Sequence, residues 1–339
     1  MATATANITK KRQTDMRKAI LPYLYLVPAF AVMAVITFYP LIYQLIVSFT
    51  DFQTKDLRYG LASPELNFIG LKNYVDILTG GLPVQNFDFV RVLVFNFWWA
   101  ITNVLVHVPA GVVIAVLLNT QGLWFKKIYR AVYILPVVVP PIVVATVWRN
   151  IFDENYGAMN QFLTAASQFF GSVDPIRIRW LTEFTPPIAW LLPTGALTLA
   201  YYAMMIANFW LGWPFMTVVA TGALQSIPSD LYEAASIDGA TGSQQFWNIT
   251  VPLIRPAMIP AAVYGFTLSF NLFAFVFFMT GGGPARSTEI LVTFAYDLVR
   301  NLRLFGAAAA FSVFILFVSL IVFLITNRIT RATESYTEA

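Results

Sequence analysis

His107 is the single histidine among 339 residues, and it stands in an apolar run two positions before Pro109. Imidazole is the side chain best suited to moving protons near neutral pH. One histidine, however, supplies at most one base, and a Ser-His-Asp arrangement would have to use His107 within that apolar run. A lone helix histidine beside a proline is read first as a hydrogen-bonded packing group. The chain has no cysteine, which removes disulfides and thiolate metal sites. No metal-ligand cluster and no GxxxxGK[ST] phosphate loop occurs, so catalysis by this chain is not expected. What remains is a polar stretch, YEAASIDGATGSQQFWNITVPLIRP at 232–256, which places Glu233, Asp238 and Gly239 between two very apolar runs. Carboxylates and a glycine turn held in the open are suited to docking rather than to bond making.

The elements that must position this stretch are membrane helices. The chain is 58% hydrophobic and 11% charged, against about 45–50% and 25% in soluble domains. Six apolar runs match the roughly 20 residues a bilayer-crossing helix needs: 21–49, 92–118, 131–148, 197–224, 257–279 and 305–326. The fold class is therefore all-α and polytopic. The first run is too long for a signal-peptide core and is expected to stay as an anchor. One membrane domain over 19–328 is expected, with polar tails at 1–18 and 329–339. Pro193 and Gly195 mark a break, with 186–196 lying at the interface or dipping in.

Lys10, Lys11, Arg12, Arg17 and Lys18 precede the first span, Lys126, Lys127 and Arg130 precede the third, and Arg328 and Arg331 follow the last. Basic residues beside short loops mark the cytoplasmic side. Both termini and the stretch 226–256 are thus expected in the cytoplasm, with 51–91 and 149–187 outside. The formal charge of +4 is spread over loops, which argues against nucleic-acid binding.

No Asp, Glu, Lys or Arg falls within the six runs. Charges at that depth usually mark ion or proton relays, so an ion-driven carrier is disfavoured. Neutral polar and aromatic residues are present instead: Asn96, Trp98, Trp99, Asn103, Asn208, Trp210, Trp213, Thr267, Ser269, Phe270 and Asn271. Such a set suits a neutral, hydroxyl-rich solute, and it suits helix packing equally well.

Within the polar stretch, Ser226 or Ser229 can cap a short helix whose first turn holds Pro228 and Asp230. Leu231, Ala234, Ala235 and Ile237 lie on adjoining helical positions, and Gly239 suits a left-handed exit. A second helical piece, 242–250, is expected to be closed off by Pro252 and Pro256. A marginal helix held out of the membrane needs a surface to pack against. A groove on a partner protein and the chain's own membrane body are both open.

The order Glu233-Ala234-Ala235, three residues, Gly239, nine residues, Ile249, Val251-Pro252 resembles the EAA loop of ATP-binding-cassette importer permeases, with Val251 in place of leucine. Asp238, Ala240 and Phe246 fit the fuller motif. Tyr39-Pro40, Ser48-Phe49, Gly70-Leu71-Lys72-Asn73-Tyr74, Arg130 with Leu135-Pro136, and Gly281-Gly282-Gly283-Pro284 with Ser287-Thr288 are similar to the carbohydrate branch, the maltose and glycerol-phosphate type permeases.

The resemblance implies a type I importer permease fold in the inner (cytoplasmic) membrane. Glu233, Ala234, Ala235, Asp238, Gly239, Phe246, Ile249 and Pro252 would form the coupling helix and its exit, docked on a separate ATPase. By the same resemblance Leu211, Gly212, Phe215, Gly265, Leu268, Ser269 and Leu272 match sugar-contacting positions, and Asn271 would add an amide. Implied partners are a second permease, two copies of the ATPase, which would bind ATP and Mg, and an extracytoplasmic sugar-binding protein. An ATP-independent carrier for a neutral solute, and a nontransporting scaffold for a cytoplasmic partner, stay open on the residues alone.

Overall fold

A computed structural model describes residues 22–120, 122–171, 173–185 and 197–330. The basic N-terminal tail, the segment 186–196 and the tail from 331 onward lie outside the described residues. The chain sorts into two compact units, Met1–Tyr74 with Arg303–Val313, and Val75–Leu302 with Phe314–Ala339. Among the described residues helices are the regular elements, and strand-like pairing is limited to isolated bridges such as that between Thr50 and Phe68.

In the first unit α1 (Pro22–Val47) is long and apolar enough to cross a bilayer. It contains a π-helical turn, Ala34–Phe38, two residues before Pro40. Beyond it, two 3-10 turns (Thr54–Arg58 and Gly60–Ala62) form around the buried carboxylate of Asp56, which accepts from Gln53 N at 2.9 Å and Ser63 Oγ at 2.5 Å. Asn73 closes the unit by donating Nδ2 to Ser48 O and Thr50 O, both at 2.9 Å. Val47, Phe52 and Ala309 form its small core.

The second unit is built on two long helices, α3 (Phe89–Asn119) and α7 (Leu199–Gln225), preceded by the part of α2 (Lys72–Thr79) from Val75 on. Asp88 caps α3 by accepting from Arg91 N at 3.1 Å. The two helices approach closely because each brings a glycine to the seam. A Cβ on Gly111 would overlap Met216, and one on Gly212 would overlap the His107 ring. Small residues of this kind let apolar helices associate without a hydrophobic driving force. A buried polar row runs along the same seam: Asn103 donates to Trp99 O at 2.7 Å, Asn208 donates to Asn103 Oδ1, and the His107 ring lies 3.1 Å from Asn208 O. His107 is thus a bonded packing group.

The single span expected at 131–148 is instead two helices, α4 (Lys126–Val138) and α5 (Pro141–Ile151), bent by 97°. Val139 and Pro140 are extended, with ψ of 126° and 137°. A residue before proline is driven out of helical conformation, and Pro140-Pro141 imposes this twice. Helix α6 (Ala158–Phe169) follows.

The fifth expected span, 257–279, is corrected at both ends. Helix α9 runs from Gly242 to Phe270, through a π-turn at Phe246–Thr250. Pro252 and Pro256 therefore do not close off the piece before them. Pro252 lies inside this helix, one residue past the π-turn bond from Val251 N to Phe246 O. At the other end α9 stops at Asn271, with φ −107° and ψ 20°, and α10 (Phe273–Met279) begins after Leu272. The break is held by Asn96 on α3. Its Nδ2 donates to Phe270 O at 3.0 Å, and its Oδ1 accepts from Leu291 N at 2.8 Å. Irregular backbone at this depth needs such internal partners. Trp99, Phe152, Met204 and Phe275 form the main core around α3, α5, α7 and α10. Val112, Met216, Ala220 and Ile254 form another between α3, α7 and α9.

Between α10 and α11 (Leu291–Arg300) the chain knots around Arg286. The guanidinium donates to both carboxylate oxygens of Glu289, at 2.8 and 3.0 Å, to Asp297 at 2.8 Å and to Gln85 O at 3.1 Å, and it stacks on Phe294. Arg91 reaches the carbonyls of Asn86, Ala285 and Arg286. Burial pushes the Glu289 carboxyl up to about 7, against the pull of Arg286. The described residues end with α12 (Phe305–Thr330).

Candidate functional site

The polar stretch folds as an elbow between α7 and α9. Its first element, α8 (Ser229–Ile237), starts at Pro228 and not at a serine cap. The expected caps do other work: Ser226 ends α7, with its hydroxyl donating to Ala223 O at 2.7 Å, and Ser229 donates to Asp230 at 3.3 Å. Proline's fixed φ sets the entry, so a side-chain cap is dispensable. The exit follows the sequence expectation. Gly239 adopts φ +81°, Gly239 N donates to Ser236 O at 3.1 Å, and Ala240 N donates to Ala235 O at 2.8 Å. This is the paired closure of a Schellman motif. Thr241 then caps α9 through a box with Gln244.

Two faces of α8 behave differently. Tyr232 and Ala235 are half-buried, and the Tyr232 hydroxyl meets Thr250 Oγ1 at 2.9 Å. Gln245 Nε2 donates to Ser236 Oγ at 2.8 Å. The other face is bare: Leu231 is 44% and Ile237 86% exposed, and Glu233, Ala234, Asp238 and Gly239 are exposed too. Among the described residues neither Glu233 nor Asp238 has an ion-pair partner. Phe246 and Ile249 are half-buried in the π-turn, Phe246 packing on the core between α3, α7 and α9, whereas Pro252 is exposed. The residues expected to couple thus separate into Glu233, Ala234 and Asp238, exposed on or just after α8, and Phe246 and Ile249, half-buried near the start of α9. Sequence reasoning missed Tyr232, Gln245 and Thr250, whose only local signal was the Thr241-Gln244 box.

The expected sugar-contacting residues lie on α7 and along α9 to its break. Leu211 and Leu272 pack on the main core, and Gly212 is taken up by the His107 ring. Phe215 stands 5.5 Å from Tyr264, ring centre to ring centre. Gly265 is buried beneath Met216 Cε, and Ser269 is buried. Leu268 and Asn271 are exposed, Asn271 donating its amide to Thr267 O at 3.1 Å. With Tyr264 and Thr267 they form an exposed stripe at i, i+3, i+4 and i+7, one face of the helix. Tyr264 is the member that spacing alone did not single out. A stripe of phenol, hydroxyl, alkyl and amide groups can stack on and hydrogen-bond to a polyhydroxylated solute.

Residues 107–335 match the model of the family described as binding-protein-dependent transport system inner membrane component. The chain is 31% identical over 327 residues to the galactooligosaccharides transport system permease protein GanP of Bacillus subtilis, covering 94% of this chain and 71% of that one. It is 32% identical over 295 residues to the maltodextrin transport system permease protein MalC of Streptococcus pneumoniae, covering 84% and 64%. Against the trehalose/maltose transport system permease protein MalF of Thermococcus litoralis the identity is 30% over 328 residues, covering 96% and 99%. Among solved structures, a chain of a bacterial ABC transporter involved in the import of the acidic polysaccharide alginate superposes with a TM-score of 0.72. That chain is 20% identical, and the match covers 96% of this chain and 100% of that one.

Proposed function

The chain belongs to the binding-protein-dependent transport inner-membrane component family, a multi-pass membrane permease and not an enzyme, and from this premise we propose that it imports an oligosaccharide by alternating access driven by a separate ATPase. The observation that carries the reading is the elbow. Its tied face holds it to α9, while Leu231, Glu233, Ala234, Ile237 and Asp238 are uncovered. A nine-residue helix that, with its cap residue Asp238, presents two carboxylates without ion-pair partners and an 86% exposed isoleucine is shaped to enter a cleft on another protein.

In this reading two copies of the ATPase bind ATP and Mg, and one of them receives α8. A second, similar permease faces the stripe Tyr264, Thr267, Leu268 and Asn271 across the pathway, with Phe215 and Ser269 beside it. An extracytoplasmic binding protein delivers the sugar at the end carrying Arg286. The elbow, both chain termini and the tails at 1–18 and 329–339 lie in the cytoplasm around one membrane domain. Sugar as the substrate class is supported by the names of the relatives and by a stripe without ionisable groups other than a phenol.

The test is co-purification of the permease with its ATPase, followed by a screen of sugars for those that stimulate hydrolysis when the binding protein is present. Glu233→Ala is expected to abolish stimulated uptake while the helices stay folded. Normal uptake by that variant with its ATPase bound, or uptake that persists after ATP depletion, would overturn the reading.

A further inference from the structure

We propose that Tyr232, Gln245 and Thr250 form a side-chain pin that fastens α8 to the foot of α9, and that displacement of α8 reaches the fifth span through this pin and not through the glycine turn. The pin presupposes the coupling role of the elbow. Between α8 and α9 the backbone link is only 238–241, and at Gly239, φ +81°, an added Cβ would meet nothing within 4 Å. The turn is held by two backbone hydrogen bonds, Gly239 N to Ser236 O and Ala240 N to Ala235 O, with open space beside Gly239 where packing would add stiffness. Displacement entering α8 would be absorbed there if the backbone were its only route.

Side chains bridge the turn instead. Tyr232 and Ser236 are one helical turn apart and share the tied face of α8. The Tyr232 hydroxyl lies 2.9 Å from Thr250 Oγ1. Gln245 Nε2 donates to Ser236 Oγ at 2.8 Å and reaches Tyr232 O at 3.5 Å. Gln245 and Thr250 are five positions apart, which in an α-helix sets them about 140° apart. The π-turn at Phe246–Thr250, with its i→i+5 bonding, brings both round to α8. Thr250 is 5% exposed and Phe246 packs in the core beside Ile254 and Met258, so the pin is rooted in buried structure. The π-turn therefore acts as a positioning device, aiming two polar side chains that a regular helix would separate.

Because the chain contains no cysteine, spin labels on Asp230→Cys and Arg255→Cys, both exposed in the native chain, report the spacing of α8 and α9. The measurement is made on the full ATPase-bound assembly, without nucleotide and trapped with ATP and vanadate. With the pin intact, the distance distribution is expected to be the same in both states. With Tyr232→Phe and Gln245→Ala it is expected to broaden and to shift on trapping, at an ATPase rate that is not reduced. Tyr232→Phe alone, which removes one hydroxyl, serves if the double variant does not assemble. A distribution that moves on trapping with the pin intact, or that stays fixed without it, overturns the pin. An unsubstituted assembly that hydrolyses no ATP overturns the transport reading itself, and the pin with it.

Discussion

Helices α9 and α10 carry a polar segment at each end, and the two segments treat charge in opposite ways. At the α10 end, Arg286 is surrounded by acceptors from this same chain: Glu289, Asp297 and Gln85 O, with Phe294 against its face. At the α9 end, Glu233 and Asp238 have no ion-pair partner among the described residues, and Ile237 is 86% exposed. The first segment satisfies its charges by folding. The second, with a similar supply of turns and acids, folds only as far as one face of α8. A surface that folds as a helix yet leaves its apolar and acidic groups uncovered is what the proposed docking role calls for.

Removing the hub of the satisfied end should produce the largest effect. Arg286→Ala leaves Glu289, 4% exposed in its side chain, without its partner. A loss of roughly 3 kcal/mol is expected, since breaking a buried pair from one side is costly. Thermal unfolding of the detergent-purified chain at pH 8 measures it, and a change no larger than that of an exposed arginine would erase the contrast between the two ends. The next effect is a pH dependence. The Glu289 carboxyl is raised from its ordinary 4.5 to about 7, so the folded chain keeps a proton that the unfolded chain releases. That contribution is full below about 4.5, declines as pH rises toward 7, and is level above. Glu289→Gln is expected to flatten this part of the stability profile; an unchanged slope would show that the group does not titrate there. The smallest effect belongs to the open end. Gly239→Ala, at φ +81°, should cost about 1 kcal/mol of local order. It is read as faster hydrogen exchange across 229–250, with the global unfolding midpoint unmoved. A falling midpoint would mean that the elbow supports the fold as the Arg286 knot does.

Features set by nearest neighbours were legible in the sequence. The apolar runs located the long helices that cross without a break, and Gly239, suited to a left-handed exit, located the end of α8. Features set by remote partners were not. The run 257–279 reads as one span because a single asparagine barely dents its hydropathy. Its break at Asn271 depends on Asn96, 174 positions from the carbonyl it binds. Pro140-Pro141 is the local cause of the 97° bend, but the run 131–148 reads as one span by its apolar length alone. The π-turn ahead of Pro252 was hidden for another reason. Proline reads as a terminator, whereas a local π-turn lets the helix reach it without a break, as another does ahead of Pro40. In the candidate site, periodicity marked Leu231, Ala234 and Ile237, which α8 leaves exposed, together with Ala235, which is half-buried; it left open what they face, and the hydroxyl and amide contacts of Tyr232 and Gln245 had no periodic signal.

The amide of Asn96 also bears on the order in which the chain can acquire its structure. The first backbone donor of α11 is satisfied by a residue 195 positions earlier. A contact of that separation carries a large loop-closure entropy and rewards the chain only after the intervening helices are in place. The entrance to α11 is thus completed late, after α3 has met the end of α9. During synthesis the Arg286 knot would be among the last parts to set, whereas the hydrogen bonds within the elbow join residues at most 18 positions apart and need only α8 and the start of α9.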